Sequence, residues 1–497
     1  MAKTDKTKSG YLSKSQFIRG LQCHKALYLY KYQPELMDET PESRKQLFQT
    51  GLDVGIYAHG LFPGGIEIPF EGVSISEQIE QTKNAIEAGA ATLYEASFSF
   101  KQTFAKADIL HCGKGGWELY EVKASTGIEE VHINDVASQY YVLNGAGLHI
   151  AKAFLVHIDN SYIRNGDIEV KKLFSAEDIT DAVKLKQPFI VEQLKSMREM
   201  LQGEMPAIDI GEYCDAPYPC DFKGYCWKDI PEDSVFMLRG RGVNKFELYR
   251  EGILCLKDIP TGILNDKQRL QVEAFLEKKE VVNKDAIREF ISSLWYPLYF
   301  LDFETTFMVP IPLFDGTRPY QEVPFQYSLH CLEKEGGELT HYEYLAPDSS
   351  DPRRELIKNL VEQIPKNACV LVYNKTFEAK ILNYLKDWFP KYKARIENIV
   401  NNLRDLMVPF QQQHFYHWEL EGSYSLKYVL PVLVPELSYD EMEVSDGGEA
   451  ANAYFQMCAA DDPKEKERIR AALLKYCGLD TLGMVRILEK LKELCRG

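Results

Sequence analysis

The segment AKADILHCGKGGWELYEVK, residues 105–123, constrains the fold most, because its turn fixes how two strands must pair. Two β-like runs flank the sequence GKGG, which is typical of a tight hairpin turn. A hairpin that is symmetric about the middle of that turn places Asp108 opposite Glu121. Side chains alternate along a strand, so Lys123 shares a face with Glu121. The sequence therefore predicts three charged groups on one patch of a sheet.

The chemistry expected of this patch is hydrolysis assisted by a divalent cation. Facing carboxylates repel each other unless a cation lies between them, and ligand sets made of oxygen alone favour Mg²⁺ or Mn²⁺. Lys123 is placed to orient or activate a water molecule and to neutralise charge that develops on a phosphorane. The alternative is a surface hairpin with an ion pair. Four apolar neighbours favour a buried sheet instead: Ile109, Leu110, Leu119 and Val122.

The pattern of Asp108, Glu121 and Lys123 resembles the core of PD-(D/E)XK nucleases, in their RecB-like branch. The resemblance implies a restriction-endonuclease-like α/β domain with these three residues in its active site. It also implies that His59, in GIYAHG, is the metal-binding histidine of a helix, and that metal is held by His59, Asp108 and Glu121.

Two further positions extend the resemblance to this family. Glu95 is expected on the helix that precedes the core strands, and Gln139, in DVASQYYVL, matches the glutamine of the family's next helix and joins the catalytic set. The family usually has Tyr four residues after that glutamine, where this chain has Leu143; Tyr140 and Tyr141 are the nearby candidates to replace it.

Four of the eleven cysteines surround this candidate domain: Cys23 before it, and Cys214, Cys220 and Cys226 after it in YCDAPYPCDFKGYCW. By number, four thiolates suit an iron-sulfur cluster and a tetrahedral zinc ion equally well, and plain reduced thiols are a third alternative. The wide spacings fit zinc ribbons poorly, since those use short CxxC knuckles. RecB-like nucleases of the AddB type and of CRISPR adaptation have this arrangement around a 4Fe-4S cluster, which implies the same cofactor here. We expect the other cysteines, such as Cys112 and Cys255, to be core side chains.

A second pair of carboxylates interrupts the apolar strand LYFLDFETTF. Asp302 and Glu304 are two residues apart, so both point to one face, and we expect them to leave the core together. Two buried acids without compensation either rise in pKa or bind a divalent cation, which predicts further acids downstream. Glu378 follows in the first turn of a predicted helix, and Tyr476 and Asp480 share a face of a late amphipathic helix.

These residues resemble the DEDD exonucleases of the RNase-H-like fold, in their tyrosine variety, over residues 296–493. The resemblance implies two metal ions that stabilise the entering and leaving oxygens, and release of nucleotides from a 3′ end. The implied metal ligands are Asp302, Glu304, Glu378 and Asp480, with Tyr476 orienting the attacking water. The family has Asp at the position of Glu378, and Asp405 is another acid that can fill that place. Within the late helix, Gly478 predicts a close approach of another backbone.

Length and composition predict the organisation of the chain. A chain of 497 residues is too long for one core and suggests about three domains. We predict an α/β protein with a RecB-like domain at 1–235, a helical linker at 236–290 and an RNase-H-like domain at 291–497. In the linker, FELYREGILCLKDIPTGIL predicts a helix that breaks at Gly252 and then resumes before Pro260, either as a helix-hairpin-helix that holds a DNA backbone or as a purely structural connection.

Charge and the absence of export signals limit the partners. The formal net charge of −16 argues against unspecific binding of polyanions over the whole surface. A basic N-terminal segment is the exception and is either a guide for substrate or a solvated tail: Lys3, Lys6, Lys8, Lys14, Arg19, Lys25 and Lys31, against Asp5. The chain shows no secretory leader and no apolar run of ~20 residues, so we expect a cytoplasmic protein without membrane association.

The sequence thus predicts a divalent-metal-dependent nuclease with two active sites, which acts on DNA and carries a 4Fe-4S cluster or zinc. Two alternatives stay open: a catalytically inactive nucleic-acid-binding scaffold of a repair or defence complex, and an exonuclease directed at RNA. The order of the two halves resembles a bacterial family labelled only as a domain of unknown function, which adds an architecture and no substrate.

Overall fold

The computed structural model describes residues 11–40, 42–440 and 442–496. Its contacts divide the chain into two compact units. The first consists of Met1–Asp229 and Val309–Tyr320, and the second of Ile230–Met308 and Gln321–Gly497. Residues 236–290, for which the sequence predicts a separate linker, belong to the second unit. Part of the predicted basic segment, Lys3, Lys6 and Lys8 together with Asp5, lies outside the described residues.

The first unit is built on one mixed sheet. Its strands are β1 Leu12–Ser13, β2 Ile66–Glu67, β3 Thr92–Phe100, β4 Thr103–Gly113, β5 Gly116–Lys123, β6 Ile150–Ile158 and β7 Phe174–Asp178. Its helices are α1 Lys14–Gln22, α2 His24–Tyr32, α3 Glu42–Ala58, α4 Ile75–Glu87, α5 Glu130–Gly145, α6 Val170–Leu173, α7 Thr180–Leu185, α8 Gln187–Gln202 and α9 Lys223–Trp227. The strand order is β2-β3-β4-β5-β6-β7, with β1 beside β4. The hairpin of β4 and β5 therefore lies in the middle of the sheet.

The hairpin has the predicted register. Ile109 faces Tyr120, and the pairing continues to Gly113 opposite Gly116 at the turn. Leu110 belongs to a hydrophobic cluster on one face of the sheet, and Ile109 to another cluster on the opposite face. The two faces are both covered, which confirms a buried sheet and rules out the surface-hairpin alternative.

Glu95 lies on strand β3, so its predicted place on a helix is wrong. Helix α4 ends at Glu87, and Gly89 with φ of 85° follows it. The sequence TLYEASFSF then alternates between the faces of the sheet, as a strand does. Within the strand Glu95 has φ of 58°, a conformation that residues other than glycine seldom adopt.

The first unit also contains a segment from late in the chain, Val309–Tyr320. The guanidinium of Arg164 donates from Nη1 to the carbonyl oxygens of Pro312 at 3.0 Å and Leu313 at 2.7 Å. The hydroxyl of Tyr320 donates to the carbonyl oxygen of Ala124 at 2.8 Å, one residue after β5. This segment is therefore an integral part of the first unit.

The second unit contains a five-stranded and a two-stranded sheet. Its strands are β8 Glu280–Val282, β9 Leu298–Thr305, β10 Pro324–Leu332, β11 Leu339–Leu345, β12 Cys369–Val372, β13 Leu403–Asp405 and β14 Phe415–His417. Its helices are α10 Lys245–Arg250, α11 Asp266–Glu277, α12 Lys284–Ser292, α13 Arg353–Gln363, α14 Lys375–Trp388, α15 Lys393–Asn401, α16 Val408–Gln411, α17 Leu426–Leu433, α18 Gly447–Ala459 and α19 Pro463–Arg496. Both units combine helices with sheets, which confirms the predicted α/β class. In the described part of the chain no helix has the length and apolar character to cross a bilayer.

The larger sheet of the second unit has the order β11-β10-β9-β12-β13. Strand β9 is central: it pairs antiparallel with β10 and parallel with β12. Leu298 and Phe300 belong to one hydrophobic cluster, while Leu301 and Phe303 belong to the cluster on the other face. Because side chains alternate, Asp302 and Glu304 continue the face of Leu298 and Phe300. Glu304 is buried and Asp302 is partly buried, so the acids do not leave the core together, contrary to the prediction.

The segment predicted to hold two short helices contains one. Helix α10 ends at Arg250, and Gly252 has φ of 82°. Between Gly252 and Pro260 the chain forms a single 3₁₀ turn at Leu256–Asp258, so the predicted second helix is absent from this described segment. The side chains of Leu248 and Leu256 are buried together in a small cluster of the second unit.

Candidate functional site

The first charged cluster is centred on Glu121 of β5, and we call it the hairpin site: Lys14, Asp108, Glu121, Lys123, Asp135 and Gln139. The Glu121 side chain is buried, with 1% of it exposed. One carboxylate oxygen accepts from the ammonium groups of Lys14 and Lys123, each at 2.7 Å. The other accepts from Nε2 of Gln139 at 2.7 Å. The structure thus brings the predicted residues Glu121, Lys123 and Gln139 together, and it adds Lys14.

Asp135 is a further member that the sequence prediction missed. Lys123 Nζ lies 2.6 Å from Oδ2 of Asp135, and Lys14 Nζ lies 3.8 Å from the same oxygen. Asp135 and Gln139 are four residues apart on α5 and therefore share a face of that helix. This spacing is the signal that could have identified Asp135. Lys14 had no such signal, since it comes from α1, far from the hairpin in sequence.

Asp108 lies at the edge of the hairpin site. Its Oδ2 accepts from the backbone N–H of Val122 at 2.8 Å, and its Oδ1 lies 3.9 Å from Lys14 Nζ. Burial, followed by the charge of Glu121, raises the pKa of Asp108 to about 7. The two lysines act the other way and, against burial, hold the pKa of Glu121 well below its usual value. The site thus has two cations for its three carboxyl groups.

His59 lies outside this cluster of contacts. It begins a 3₁₀ turn after α3, and its ring stacks on the ring of Tyr94 at a centroid distance of 3.8 Å. Burial lowers the pKa of His59, and the charges of Glu67 and Glu95 oppose that shift. Glu95 forms an ion pair with Lys106, and its charge also raises the pKa of Asp108. Glu95 therefore lies in the electrostatic range of both His59 and the hairpin site.

Leu143, at the place of the family's tyrosine, and the neighbouring Tyr140 and Tyr141 pack in the core of the first unit. Leu143 is fully buried in the core of the first unit, and Tyr140 and Tyr141 are partly buried against the same cluster. The ring of Tyr141 meets Phe100 edge-on at 5.3 Å. These side chains pack the core and none of them is seen to contact Glu121.

The four predicted cysteines line one pocket, which we call the cysteine pocket: Cys23, Cys214, Cys220 and Cys226. All four thiols are free. Burial, with the charges of the other three thiols, raises the pKa of Cys220 to about 11. Four thiols that line one pocket supply the number of ligands that a 4Fe-4S cluster or a zinc ion takes. Cys112, by contrast, is exposed, so its predicted core position is wrong.

Helix α1 holds the chain around this pocket. Nε2 of Gln22 donates to the carbonyl oxygens of Tyr213 at 2.7 Å and Tyr218 at 2.6 Å. Nη2 of Arg19 lies 2.6 Å from Oδ2 of Asp221. Arg19, counted in the basic N-terminal segment, is therefore paired with an acid of the cysteine-rich segment.

The second charged cluster consists of Asp302, Glu304, Glu378 and Asp480, and we call it the strand site. Asp302 and Glu304 come from β9, Glu378 from the first turn of α14, and Asp480 from α19. Glu304 is 5% exposed, Glu378 1% and Asp480 7%. Ligand atoms of Asp302, Glu304 and the thiol of Cys477 all lie within 4.8 Å of one another. The charges of Asp302, Asp480 and Glu378 all act on Glu304, so the structure brings the four predicted acids near one another.

The carboxyl groups of the strand site are short of positive charge. Burial raises the pKa of Asp302, Glu304 and Glu378 well above their usual values, and repulsion from neighbouring acids adds to the shift. Burial also raises the pKa of Asp480 to about 7, against the hydrogen bond from Tyr439 and the charge of Lys427. Oε2 of Glu378 has no hydrogen-bond partner among the described residues. Such a group of acids has the composition of a divalent-cation site.

Two tyrosines adjoin Asp480. The hydroxyl of Tyr439, which the sequence prediction missed, donates to Oδ1 of Asp480. The ring of Tyr476 lies 6.2 Å from that of Tyr439, and burial with the charges of Asp480 and Glu304 raises the pKa of Tyr476. The predicted tyrosine therefore lies at the strand site as a neutral phenol.

Asp405 has a structural role and does not take the place of Glu378. Its Oδ1 accepts from the N–H groups of Asn374 at 3.1 Å and Met407 at 3.0 Å, and its Oδ2 from that of Lys375 at 2.9 Å. Asn374 has φ of 81°, and its own side chain makes no capping bond to α14. Asp405 thus fixes the start of the helix that carries Glu378.

Comparison with known proteins adds little to this description. Residues 299–425 match a family described as a domain of unknown function, DUF2779. The matched range includes Asp302, Glu304 and Glu378 and ends before Tyr476 and Asp480. No curated protein matches the chain. A solved structure described as "Crystal structure of SSO0001" aligns at 12% identity over 44% of this chain and 90% of that chain, with a TM-score of 0.24, which carries no argument about fold or function.

Proposed function

We propose that the protein is a divalent-metal-dependent nuclease of the cytoplasm, in which the strand site removes nucleotides from 3′ ends of DNA. The observation that carries this proposal is the buried, mutually repelling group of Asp302, Glu304, Glu378 and Asp480. A buried carboxylate without a counter-charge is costly, and an orphaned oxygen such as Oε2 of Glu378 adds to that cost. Divalent cations bound by these oxygens would offset the cost and stabilise the attacking and leaving oxygens of a phosphodiester.

The other side chains of the strand site have separate roles in this proposal. Tyr476 stays a neutral phenol and donates a hydrogen bond that orients the attacking water. Tyr439 holds Asp480 through the bond to Oδ1, which fixes one ligand in place. Asp405 fixes the first turn of α14 and thereby the position of Glu378. Glu378 is one methylene longer than the aspartate of the DEDD family, and it is buried at the strand site.

The hairpin site is proposed as a second nuclease centre of the RecB-like PD-(D/E)XK type. Glu121 and Asp108 supply oxygen ligands, Gln139 orients Glu121, and Lys123 supplies positive charge next to the scissile phosphate. The cysteine pocket is proposed to hold a 4Fe-4S cluster, with zinc as the alternative, and to brace the segment that Gln22 and Arg19 hold. This role is structural, because four ligands from distant parts of the chain are tied together.

The test uses single- and double-stranded DNA and RNA, labelled at the 5′ or the 3′ end, with Mg²⁺ or Mn²⁺. We expect 3′ ends of DNA to be shortened by the wild type and by Lys123→Ala, and not by Asp302→Asn. Loss of a different product in Lys123→Ala would assign that product to the hairpin site. Glu355→Gln changes an exposed acid on α13 and is the matched control. Absence of metal-dependent cleavage of every substrate contradicts the proposal, and cleavage of RNA alone contradicts the choice of DNA.

One observation favours a second candidate, in which the hairpin site binds nucleic acid without cleaving it. Glu121 already has two lysine partners, so its charge is offset without a metal ion. A protein of this kind serves as a scaffold in a repair or defence complex, with its lysines directed at phosphates. Under this candidate, Lys123→Ala weakens binding of DNA and leaves every cleavage product of the wild type unchanged.

A further inference from the structure

The thiol of Cys477 lies within the strand site, where no role has been assigned to it. Cys477 is fully buried on α19, between Tyr476 and Asp480 in sequence. Its Sγ lies 3.7 Å from Oδ2 of Asp302 and 3.9 Å from the carbonyl oxygen of the same residue. It is also within 4.8 Å of a carboxylate oxygen of Glu304. Three potential ligand atoms thus face one point.

Other buried cysteines of the second unit have different surroundings. Cys369 of β12 is fully buried in a hydrophobic cluster that contains Leu298 and Leu371. The Sγ of Cys331 lies 2.7 Å from the hydroxyl of Thr340. Cys477, in contrast, has two carboxylates as neighbours, and a thiol is too weak a donor to offset their charge. Packing alone accounts for Cys369, and it does not account for the position of Cys477.

A second observation at the same place points to a missing ligand. Oε2 of Glu378 is buried and has no partner among the described residues, and Glu378 lies close enough to Asp302 for the two charges to interact. A cation bound by Asp302 and Glu304 would offset their repulsion with Glu378. The thiol of Cys477 lies next to the carboxylates of Asp302 and Glu304 that would bind this cation.

We propose that Cys477 is a direct ligand of the metal ion held by Asp302 and Glu304, so that the strand site prefers thiophilic divalent ions over Mg²⁺. This inference rests on the proposed metal site and specifies which ions it takes. On binding, a metal–sulfur bond replaces the sulfur–hydrogen bond, and the proton leaves to solvent. A thiolate among carboxylates shifts selectivity towards Zn²⁺, Cd²⁺ and Co²⁺, because soft ligands favour these ions.

The test is cadmium NMR of the full chain titrated with Cd²⁺ alone, because the cadmium shift reports thiolate ligands and each site gives its own resonance. We expect one resonance, distinct from that of the cysteine pocket, to disappear or to move to the position of an all-oxygen site in Cys477→Ser and Cys477→Ala. Cys331→Ser, in which the hydroxyl keeps the contact to Thr340, is the control and leaves that resonance in place.

Affinity provides the second measurement. Cys477→Ser is expected to raise the Cd²⁺ dissociation constant of this site about tenfold or more, while the Mg²⁺ dissociation constant changes by less than about threefold. An unchanged cadmium spectrum in both Cys477 variants overturns the inference and leaves the proposed exonuclease standing. Conversely, the protein can show the expected cadmium result and yet cleave no nucleic acid. That outcome supports Cys477 as a metal ligand and overturns the proposed function.

Discussion

The ammonium group of Lys14 lies 2.7 Å from the carboxylate of Glu121, and the same ammonium group lies 3.9 Å from Asp108. Lys14 therefore occupies the space in which a metal ion would contact both acids. We expect Lys14→Ala to tighten binding of Mn²⁺ at the hairpin site about tenfold, since a competing charge is removed. In EDTA the same variant is expected to lose ~1–3 kcal/mol of unfolding free energy, because the buried Glu121 keeps one cation instead of two.

Lys152→Ala is the matched control for this prediction. Lys152 pairs with Asp178 on the same sheet, and both side chains are about half exposed, so the pair contributes little to stability. Thermal unfolding in EDTA, followed by titration with Mn²⁺, gives both quantities for each variant. A weaker affinity for Mn²⁺ in Lys14→Ala would show that Lys14 supports the metal and does not compete with it.

The raised pKa of Asp480 predicts how stability depends on pH. Its pKa of about 7 in the folded protein exceeds that of an unfolded aspartate, about 4, so the folded protein holds the extra proton between these values. The free energy of unfolding of the metal-free protein should therefore fall as pH rises through this window. Asp480→Asn removes this contribution and is expected to be ~1–3 kcal/mol more stable than the wild type at about pH 8.

Denaturant unfolding in EDTA at about pH 4 and pH 8 measures the difference. At the lower pH the two proteins should be nearly equal, because the carboxyl group is then protonated in the folded wild type and about half protonated in the unfolded wild type. The hydrogen bond from Tyr439 is retained by the amide oxygen of the variant, so packing is little changed. Equal stability of both proteins at both values of pH contradicts the shifted pKa.

Substitutions of Asp405 test whether this acid has a structural role or is a metal ligand. Asp405→Ala is expected to cost ~2 kcal/mol of unfolding free energy, because the N–H groups of Asn374, Lys375 and Met407 lose their acceptor. Asp405→Asn keeps one acceptor oxygen and should lose less. Metal titration by calorimetry is expected to give Asp405→Asn an affinity within about twofold of the wild type. A larger loss would identify Asp405 as a ligand.

Replacement of Gly478 by alanine is expected to stabilise the protein. The sequence predicts a close backbone approach at this glycine, yet a Cβ built there meets only Cε1 of His341, at an ordinary contact distance of 3.7 Å. Gly478→Ala is therefore expected to raise the free energy of unfolding by up to ~1 kcal/mol, the usual gain in a helix interior. Gly483→Ala is the contrasting variant on α19, because its Cβ would lie 3.1 Å from Cδ1 of Leu430. Gly483→Ala is expected to lower the free energy of unfolding. Urea titration of both variants measures the two changes.

Substitution of a cysteine in the cysteine pocket is expected to remove a bound cofactor. Cys220→Ser is expected to lose the visible absorbance and most of the iron of anaerobically purified protein, together with several degrees of melting temperature. Cys112→Ser changes an exposed thiol and should match the wild type. Colourless wild-type protein that contains one zinc ion per chain would assign the pocket to zinc, and protein without either metal would contradict both cofactors.

The hairpin and strand β9 show what local sequence specifies. The GKGG turn and the alternation of side chains predict the pairing of Ile109 with Tyr120, and the structure confirms it. Spacing of two residues also predicts that Asp302 and Glu304 share a face. Their burial was not predictable, because it depends on α19, which begins at Pro463, well over a hundred residues later.

The site residues that the sequence prediction missed come from distant elements. Lys14 and Tyr439 reach their sites only through tertiary packing and no local period marks them, whereas Cys477 is three residues from Asp480 on one helix. Asp135 could have been found from its spacing to Gln139 on one helix face. The family resemblance alone places Glu95 on a helix, although its segment alternates as a strand does.

The chain returns to the first unit at Val309–Tyr320. This return affects how the two candidate activities can be separated in experiments and how the units can be exchanged by recombination. A protein truncated after Asp229 would lack the carbonyl groups to which Arg164 donates. It would also lack the hydroxyl of Tyr320, which donates a hydrogen bond to the carbonyl oxygen of Ala124. No single cut in the gene therefore yields the whole first unit by itself. Point substitutions separate the two centres within the full chain, whereas any continuous piece of the chain that contains the whole first unit must also carry residues 230–308 of the second unit.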